Sequence, residues 1–275
     1  MRLSRSHPRY ASLRLRAHLA DLTRAGLVAP EGLIAHGRGE TFDYLLGERT
    51  SPSARAAERR AAGWLRSARH PVLSVNGNVA ALAATEVARM AHACPGLSVE
   101  VNLFHRTPAR ARAVAGVLRA AGVSEVLGVR PTARIPGLPS DRALVDRRGI
   151  LVADLCLVPL EDGDRTQALR ALGKKVVSID LNPLSRTSQT ADLPIVDELR
   201  RALSHIGDDL EGGGPPERTG RFARFDRRRA LADALGLIGR NLRRAAAVRS
   251  RSAGERGRAS PRPARGTGGR SRRTP

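Results

Sequence analysis

Four clusters of polar residues follow apolar segments of this 275-residue chain, and each cluster contains side chains that can bind a charged ligand. Asparagine, aspartate and glycine are also the common residues of tight turns, so one such cluster alone is a weak signal. Four together favour a binding crevice. The clusters are Asn76 and Asn78, then His105 and Arg106, then Glu161, Asp162, Asp164 and Arg165, and finally Asp180, Asn182, Ser185, Arg186 and Thr187.

A further segment, His-Gly-Arg-Gly-Glu at positions 36–40, has a composition that suits anion binding. The glycines on both sides of Arg38 predict a backbone that approaches a ligand closely. The guanidinium group can bind a phosphate or a carboxylate through two parallel hydrogen bonds, and His36 is a candidate proton carrier or phosphate donor. The alternative is a glycine-rich turn with a surface arginine.

The carboxylates of Glu161, Asp162 and Asp164 have three interpretations, which the sequence leaves open. They can hold Mg²⁺ that carries nucleotide phosphates, since oxygen ligands suit this ion. They can also receive an ammonium group. The third interpretation is structural, because carboxylates at this position would cap the helix expected near Thr166 and compensate its dipole.

One of the clusters suits an anion, and another suits a nucleotide. The segment 76–78 can present backbone N–H groups to an anion at the start of a helix, or it can form a tight turn in which Asn78 caps the helix. In the segment 180–187, the carboxylate and amide suit ribose hydroxyls or the edge of an adenine ring. The arginine and threonine that follow can neutralise phosphates.

The elements that position these residues are predicted by apolar segments that alternate with helical spacing. This alternation predicts an α/β fold, with a parallel sheet and helices on both of its faces. The expected strands occupy residues 71–75, 97–104, 124–129, 150–160, 175–179 and 193–196. The expected helices occupy residues 8–28, 52–68, 79–93, 108–121, 166–172, 197–206 and 226–248, with Ser51, Thr107 and Asp197 as N-caps.

Composition divides the chain into four expected parts. These are an α/β domain at 1–206, a Gly/Pro-rich linker at 207–225, a C-terminal helix at 226–249 and a disordered, arginine-rich tail at 250–275. The helix has an apolar stripe that favours packing on the domain or on a second subunit. A basic helix on anionic lipid or nucleic acid is the alternative. The stripe consists of Leu231, Leu235, Ile238 and Leu242.

The net charge of +22 suggests nucleic-acid binding, but aromatic residues are only 3% of the chain. Residues 213–275 contain 18 arginines and four acidic residues, so the tail offers a non-specific contact with nucleic acid. No transmembrane run or signal peptide is recognisable, which predicts a soluble, cytoplasmic protein with no membrane contact. Cys94 and Cys156 are expected to be buried thiols. The histidines without ligand-like neighbours are His18, His70, His92 and His205.

Seven blocks of the sequence, in order between residues 5 and 206, resemble the archaeal 4-phosphopantoate–β-alanine ligases, also called phosphopantothenate synthetases. The resemblance implies a Rossmann-like parallel sheet flanked by helices, with N-terminal helices and a C-terminal helix. It also implies a homodimer that uses ATP to join 4-phosphopantoate and β-alanine, giving 4′-phosphopantothenate, AMP and diphosphate in coenzyme A synthesis. The blocks are 6–10 (SHPRY), 32–50 (GLIAHGRGETFDYLLGERT), 74–82 (SVNGNVAAL), 102–104 (NLF), 134–138 (RIPGL), 158–166 (VPLEDGDRT) and 179–187 (IDLNPLSRT).

The same resemblance implies which residues contact ATP, the expected co-substrate. Transfer of AMP to the acid would give a mixed anhydride that the amine attacks, and His36 or a carboxylate of 161–164 would take the amine proton. We expect Mg²⁺ to accompany ATP, although the sequence does not identify its ligands. The implied ATP contacts are Arg16, Arg38, Asp180, Leu181, Asn182, Arg186, Thr187, Glu198 and Leu199. The candidate catalytic residues are Arg38 and His36, and the candidate substrate contacts are Asn76, Asn78, Glu161 and Asp162.

Overall fold

Short apolar segments form a six-stranded parallel sheet, as expected. This computed structural model describes residues 4–6, 10–213 and 222–258, without the side chains of Ala11 and of residues 249–258. The strands lie in the order β3-β2-β1-β6-β7-β8, while β4 and β5 form a separate hairpin. Their bounds are β1 (Pro71–Val75), β2 (Ser98–Val101), β3 (Val126–Leu127), β4 (Ala133–Arg134), β5 (Leu144–Val145), β6 (Leu155–Pro159), β7 (Lys175–Ile179) and β8 (Leu193–Ile195).

Helices cover both faces of the sheet, so every residue of β1 and β6 is buried. The chain order reverses between these two adjacent strands. In such sheets a crevice opens at the carboxyl ends of the strands where the order reverses. The helices are α1 (Tyr10–Arg24), α2 (Pro30–Leu46), α3 (Pro52–Ser67), α4 (Gly77–Ala93), α5 (Pro108–Ala120), α6 (Gly163–Ala171), α7 (Arg186–Thr190), α8 (Leu199–Glu211) and α9 (Arg227–Arg258).

The predicted N-caps are confirmed for two helices and wrong for a third, and the alternative in which Asn78 caps α4 is wrong as well. Ser51 caps α3 and Thr107 caps α5, each through its side-chain oxygen. Glu198, rather than Asp197, caps α8, because hydrogen bonds from Thr50 and Arg201 already occupy the Asp197 carboxylate.

In α4 the capping oxygen belongs to Asn76, which accepts from the Val79 amide at 3.1 Å. Asn78 lies inside the first turn and instead donates from Nδ2 to the carbonyl of Gly32.

The segment 36–40 is helical, so the alternative of a glycine-rich turn is wrong. It lies in the middle of α2, which has proline at its first position and ends at Gly47 with φ of 94°. A Cβ at Gly37 would meet no atom within 4 Å, and one at Gly39 would meet Leu181 at an ordinary 3.6 Å. Neither glycine is therefore required by the backbone or by a close contact. Packing against α1, α4 and α9 outweighs the weak helix propensity of glycine.

The long connection from β3 to β6 forms a small unit that the sequence pattern did not predict. The antiparallel hairpin of β4 and β5 encloses a single 3₁₀ turn at Asp141–Ala143. Ile135, Val145 and Ile150 are fully buried and pack with Val72 and Cys156 of the sheet. This unit therefore completes the core on one face, and it places Arg142 at the crevice.

The C-terminal helix α9 packs on the domain, which confirms the first interpretation of its apolar stripe. Leu231 and Ile238 pack with Leu46 of α2 and with Leu181. Leu235 and Leu242, the other members of the stripe, are exposed. Its backbone is helical to Arg258, beyond the expected end at 249, and α8 extends to Glu211, into the expected linker. Residues 214–221 of the linker and 259–275 of the tail lie outside the described residues.

Within the described ranges, no helix combines the length and the apolar character that a membrane crossing needs. Cys94 and Cys156 are buried and free, as predicted. Burial raises the pKa of the Cys156 thiol to about 12, so this side chain is an apolar core residue rather than a nucleophile.

Candidate active site

The expected crevice lies at the carboxyl ends of β1 and β6, and Asn76 joins these two ends. Its amide nitrogen donates to the carbonyl oxygens of Pro159 and Leu160, while its oxygen caps α4. All the hydrogen-bonding groups of the Asn76 side chain except one lone pair are thereby used. Asn78 is held against α2 through Gly32. The two candidate substrate contacts therefore lie at the crevice, but their side chains fix the backbone rather than project into open space.

Glu161, at the end of β6, is held between two buried arginines. Its carboxylate is 2.9 Å from Nη1 of Arg142 and pairs on the other side with Arg165, one helical turn away. Burial opposes ionisation of Glu161, but the charges of Arg142 and Arg165 outweigh this effect and lower its pKa. Arg165 is fully buried and also donates to Ser74 of β1 at 3.0 Å. Arg142 could not be predicted as a site residue from the sequence, because nothing near it along the chain pairs it with Glu161.

The structural interpretation of Asp162 is confirmed, because its carboxylate caps α6 by accepting from the Arg165 amide at 2.8 Å. Its second oxygen is 3.1 Å from Nε of Arg142. Asp164 pairs with Arg186 at 2.8 Å. With Glu161 also paired, each of the three carboxylates faces an arginine. This donor set does not fit Mg²⁺, since an open group of oxygen ligands is lacking at this strand end.

A second group of candidate residues follows β7. Asp180 accepts from the Asn182 amide at 2.9 Å, and Thr187 donates to the carbonyl of Glu161 at 2.7 Å. Burial raises the pKa of Asp180, while hydrogen bonds from Ser185 and Asn182 and the charge of Arg38 offset part of this effect. Arg38 of α2 therefore lies close enough to Asp180, at the end of β7, to influence its pKa, although the two residues are far apart in sequence.

Arg16 and His36 line one cavity of about 210 Å³ between α1 and α2, together with Glu40 and Tyr44. Nη2 of Arg16 is 2.6 Å from Glu40. Burial opposes the charge of Glu40, but hydrogen bonds from Ser12, Tyr44 and Arg16 lower its pKa to about 2. Glu40 was not among the predicted site residues, although its position two residues after Arg38 is a signal that could have been used.

His36 is half-buried in this cavity, and its environment favours the neutral imidazole. Burial lowers its pKa from the ordinary 6.5, while the carboxylates of Glu40 and Glu198 act in the opposite direction and Arg16 adds to the decrease. The effect of Glu198 shows that the start of α8 lies near α2. Glu198 accepts from the amides of Arg200 and Arg201, and Leu199 is buried in the core.

Arg38 lies on the exposed face of α2. Within the described part of the chain it forms no hydrogen bond or ion pair, in contrast to Arg16 and Arg186. Gly39, the next residue, is in contact range of Leu181 at the end of β7. Helix α2 therefore carries Arg38 and His36 over the carboxyl ends of β7 and β8. The structure brings Arg16 and Glu198 near His36, and Arg38 near Asp180.

His205 has acidic neighbours, contrary to the expectation from sequence. Its Nδ1 is 2.8 Å from Glu58, and Asp197 completes the group. Burial and the nearby Asp197 carboxylate raise the pKa of Glu58 to about 9, which makes it a neutral acid at pH 7. These residues come from α3 and from both sides of the start of α8, so only the folded chain brings them together.

Known proteins share much of this sequence. The sequence matches the phosphopantothenate/pantothenate synthetase family over residues 53–241. It is 57% identical over 201 residues to the 4-phosphopantoate–beta-alanine ligase of Methanospirillum hungatei, covering 73% of this chain and 82% of that protein. The proteins of the same name from Methanosarcina mazei and Thermococcus kodakarensis are 47% and 46% identical, over 88% and 85% of this chain and 96% and 90% of their own lengths.

The chain belongs to the phosphopantothenate/pantothenate synthetase family. The family match includes all the strands of the sheet and the crevice at β1 and β6, so the resemblance noted in the sequence is confirmed there. It begins after α1 and α2, which carry Arg16, His36 and Arg38. The position of Arg38 near Asp180 is therefore a separate, geometric observation.

Proposed function

We propose that this synthetase joins 4-phosphopantoate to β-alanine with ATP, releasing 4′-phosphopantothenate, AMP and diphosphate in coenzyme A synthesis. The observation that carries the proposal is the convergence of Arg38, His36 and Asp180 at one side of a crevice whose other side is rich in buried arginines. Relatives named for the same reaction support it. The proposal includes a homodimer and a cytoplasmic location, as the resemblance implies.

The proposed chemistry has two steps, because a free carboxylate is a poor acylating agent. In the first step a carboxylate oxygen of 4-phosphopantoate attacks the α-phosphorus of ATP, and diphosphate leaves. In the second step the amine of β-alanine attacks the acyl carbon, AMP leaves with the bridging oxygen, and the amine loses a proton. Holding the acyl adenylate and the amine together supplies much of the rate in such reactions.

ATP is proposed to lie over β7 and β8. The carboxylate of Asp180 and the amide of Asn182 would contact the ribose or adenine, beside Leu181, with Glu198 and Leu199 at the far side. Burial disfavours the charged form of Asp180, and contact with a hydroxyl group is compatible with a carboxylate in that environment. The Thr187 hydroxyl already donates a hydrogen bond to the carbonyl of Glu161, so its proposed contribution is to fix the start of α7, which presents Arg186.

Arg38 is the strongest candidate for binding the triphosphate. Two phosphorylated substrates repel each other, and a cation between them reduces this repulsion. Arg16 and Arg186 are already paired with Glu40 and Asp164, so part of their charge is balanced within the protein. Arg38 has no such partner among the described residues, and its full charge is available to a ligand.

His36 is the proposed base that takes the proton from β-alanine. The sequence left open whether His36 or a carboxylate of 161–164 has this role. The charges of Arg142 and Arg165 lower the pKa of Glu161, so it holds a proton less strongly than an ordinary carboxyl. Burial and the charge of Glu161 raise the pKa of Asp162, but its two oxygens already cap α6 and face Arg142, and Asp164 is paired with Arg186. His36 is half-buried and its pKa is lowered, so its imidazole is neutral and can accept a proton at pH 7.

Mg²⁺ is not assigned to any residue in this proposal, since the acidic side chains at β6 do not fit it. No step above depends on the metal.

A single assay tests the reaction. Purified protein is incubated with ATP, 4-phosphopantoate and β-alanine, and with each of the three omitted in turn, and AMP and diphosphate are measured. We expect AMP and diphosphate only in the complete mixture, or as one equivalent per site when β-alanine is omitted. Formation of ADP and phosphate would reject the adenylate, and absence of any nucleotide product would reject the ligase reaction.

A further inference from the structure

A buried group of ligating side chains lies outside the crevice, where α3 packs against α8. Glu58 belongs to α3, Asp197 precedes the first turn of α8, and His205 lies in the middle of the same helix. One carboxylate oxygen or imidazole nitrogen of each residue lies within 4.8 Å of those of the other two. No second group of this kind occurs in the part of the chain that the structure describes. None of the three residues is a proposed contact of ATP, 4-phosphopantoate or β-alanine.

The Glu58 carboxyl group is fully buried, but its hydrogen bonds are incomplete. Oε2 is 2.8 Å from Nδ1 of His205, whereas Oε1 has no hydrogen-bond partner among the described residues. A buried oxygen without a partner costs free energy, so it points to a proton or a cation shared with a neighbouring group. The neighbouring acid is Asp197, which is 2% exposed. Its Oδ2 accepts from Thr50 and keeps a second lone pair.

The charged groups around these two buried acids leave an excess of negative charge. Arg55 forms two hydrogen bonds with Asp209, each of 2.6 Å. Arg201 forms two with Asp43, of 2.5 and 3.2 Å, and also donates to Asp197 at 2.8 Å. Each guanidinium group thus has its own carboxylate partner outside the buried pair. When both buried acids are ionised, two negative charges remain unbalanced, and one divalent cation would balance them.

We propose that Glu58, Asp197 and His205 bind one divalent transition-metal ion such as Zn²⁺. One imidazole nitrogen and two carboxylate oxygens suit such an ion, whereas Mg²⁺ and Ca²⁺ prefer oxygen ligands alone. Tetrahedral Zn²⁺ holds its ligand atoms about 3.4 Å apart, which small shifts of these side chains would reach. The His205 side chain is 32% exposed, so the ion has a path from solvent, and water would take the fourth position.

Binding of the ion would rearrange protons within the group. Nδ1 of His205 would exchange its contact with Glu58 for the ion, and the imidazole proton would lie on Nε2. Oε1 of Glu58, the oxygen without a partner, and Oδ2 of Asp197 would be the other two ligand atoms. Burial and the Asp197 carboxylate raise the pKa of Glu58 to about 9, so at pH 7 the ion displaces the proton of Glu58. The ion would join α3 to both the start and the middle of α8.

A zinc titration of the full-length protein tests this site. Protein without an affinity tag is freed of metal with a chelator and titrated with zinc chloride by calorimetry, and the zinc retained after gel filtration is measured by elemental analysis. We expect one equivalent of zinc per chain, with a micromolar or lower Kd. Titrations at pH 7 in two buffers of different ionisation enthalpy should show release of about one proton, from Glu58.

Two substitutions and a control identify the ligands. His205→Gln removes the nitrogen ligand, and Glu58→Gln removes a charged oxygen ligand while it keeps the shape of the protonated acid. Each should raise the Kd of zinc by about 100-fold, and circular dichroism verifies that both variants are folded. His92→Gln is the matched control, since Nδ1 of His92 is 2.8 Å from the carbonyl oxygen of Ala88 on its own helix. It should bind zinc as the unmodified protein does.

Thermal unfolding gives a second readout, because an ion that binds only the folded chain raises Tm. Zinc at about 100 times its Kd should raise the Tm of the unmodified protein by several degrees and leave that of Glu58→Gln unchanged. The proposal is wrong if the unmodified protein retains no stoichiometric zinc, or if both variants bind zinc as tightly as it does. The first result would assign the buried pair to a shared proton alone. Neither measurement depends on AMP formation.

Discussion

The two sides of the crevice hold their positive charges in opposite ways. At β1 and β6, Arg142 and Arg165 are buried, and they share the carboxylates of Glu161 and Asp162. At α1 and α2, Arg38 is exposed and has no partner among the described residues. The first side is set in position before any ligand arrives. The second side combines the Arg16–Glu40 ion pair with an exposed Arg38 that has no partner among the described residues.

Because of this difference, substitutions on the two sides should affect stability and function separately. Burying charges requires loss of their hydration, which attraction offsets only when the geometry is good and the hydrogen bonds are complete. In the buried network, Nε and Nη2 of Arg165 lack hydrogen-bond partners among the described residues, so part of the hydration loss is uncompensated. Substitutions there should therefore affect folding first. Substitutions on the exposed face of α2 should affect turnover alone.

The largest effect is expected from Arg165→Ala. It leaves Glu161 buried with only one of its two arginines, and removal of one partner from a buried ion pair costs about 3–5 kcal/mol. The free energy of unfolding from urea denaturation should fall by that amount. Arg170→Ala, on the same helix, is the control, because Arg170 pairs with Asp192 at the surface and should contribute less than about 1 kcal/mol. Equal, small losses for both variants would contradict the distinction between a buried and an exposed side.

His36→Gln should lower kcat/KM for β-alanine by about 100-fold, since it removes the proposed base. Because burial lowers the pKa of His36, the imidazole is protonated only at a pH below the ordinary value of 6.5. The pH profile of the unmodified protein should therefore decrease on the acid side with a midpoint below 6.5, and that decrease should be absent in the variant. His70→Gln, at the opposite end of the sheet, is the control. An unchanged acid limb in His36→Gln would assign the base elsewhere.

Arg38→Ala should reduce kcat/KM for ATP by about 30-fold, as expected for loss of one hydrogen-bonded charge at a phosphate. The free energy of unfolding should stay the same within about 0.5 kcal/mol, because Arg38 has no partner in the described part of the chain. Arg14→Ala on α1 is the matched exposed control. A loss of stability equal to that of Arg165→Ala would place Arg38 in a structural network, and the two sides of the crevice would no longer differ.

Much of the sheet could be predicted from sequence, because a strand that is buried on both faces consists mostly of apolar residues. The bounds of β1 and β7 agree with the segments 71–75 and 175–179. The hairpin of β4 and β5 could not be predicted, since its strands have two residues each and show no periodicity. Helix α2 was missed because Gly37 and Gly39 are typical of loops, and only its packing partners reveal the helix.

The candidate site was predicted in part, and the limit has a physical reason. Residue types indicate which groups can bind an anion, and the strand-end positions of Asp180 and Glu161 followed from topology alone. Residue types do not show which charged side chains are already paired with an opposite charge inside the protein. Arg142 reaches Glu161 from the unpredicted connection, and Arg110 reaches Gly77 from another helix. Pairing of this kind depends on tertiary structure. Residues that are free to bind a ligand can therefore be distinguished from structural ones only in the folded chain.

The smallest effect, and the sharpest comparison, concerns Asp162, where capping and charge can be separated by two substitutions. Asp162→Ala removes the cap of α6 and should lower the free energy of unfolding by about 1 kcal/mol. Asp162→Asn keeps an equally good capping oxygen but removes the charge that faces Nε of Arg142. If the cap is the main contribution, urea denaturation should show almost no loss for Asp162→Asn, and AMP formation should stay at the level of the unmodified protein. Equal losses of stability would instead assign the effect to the arginine network. A loss of turnover in Asp162→Asn without a loss of stability would restore the interpretation in which this carboxylate binds a cation or an ammonium group, and the buried side of the crevice would then take part directly in the reaction.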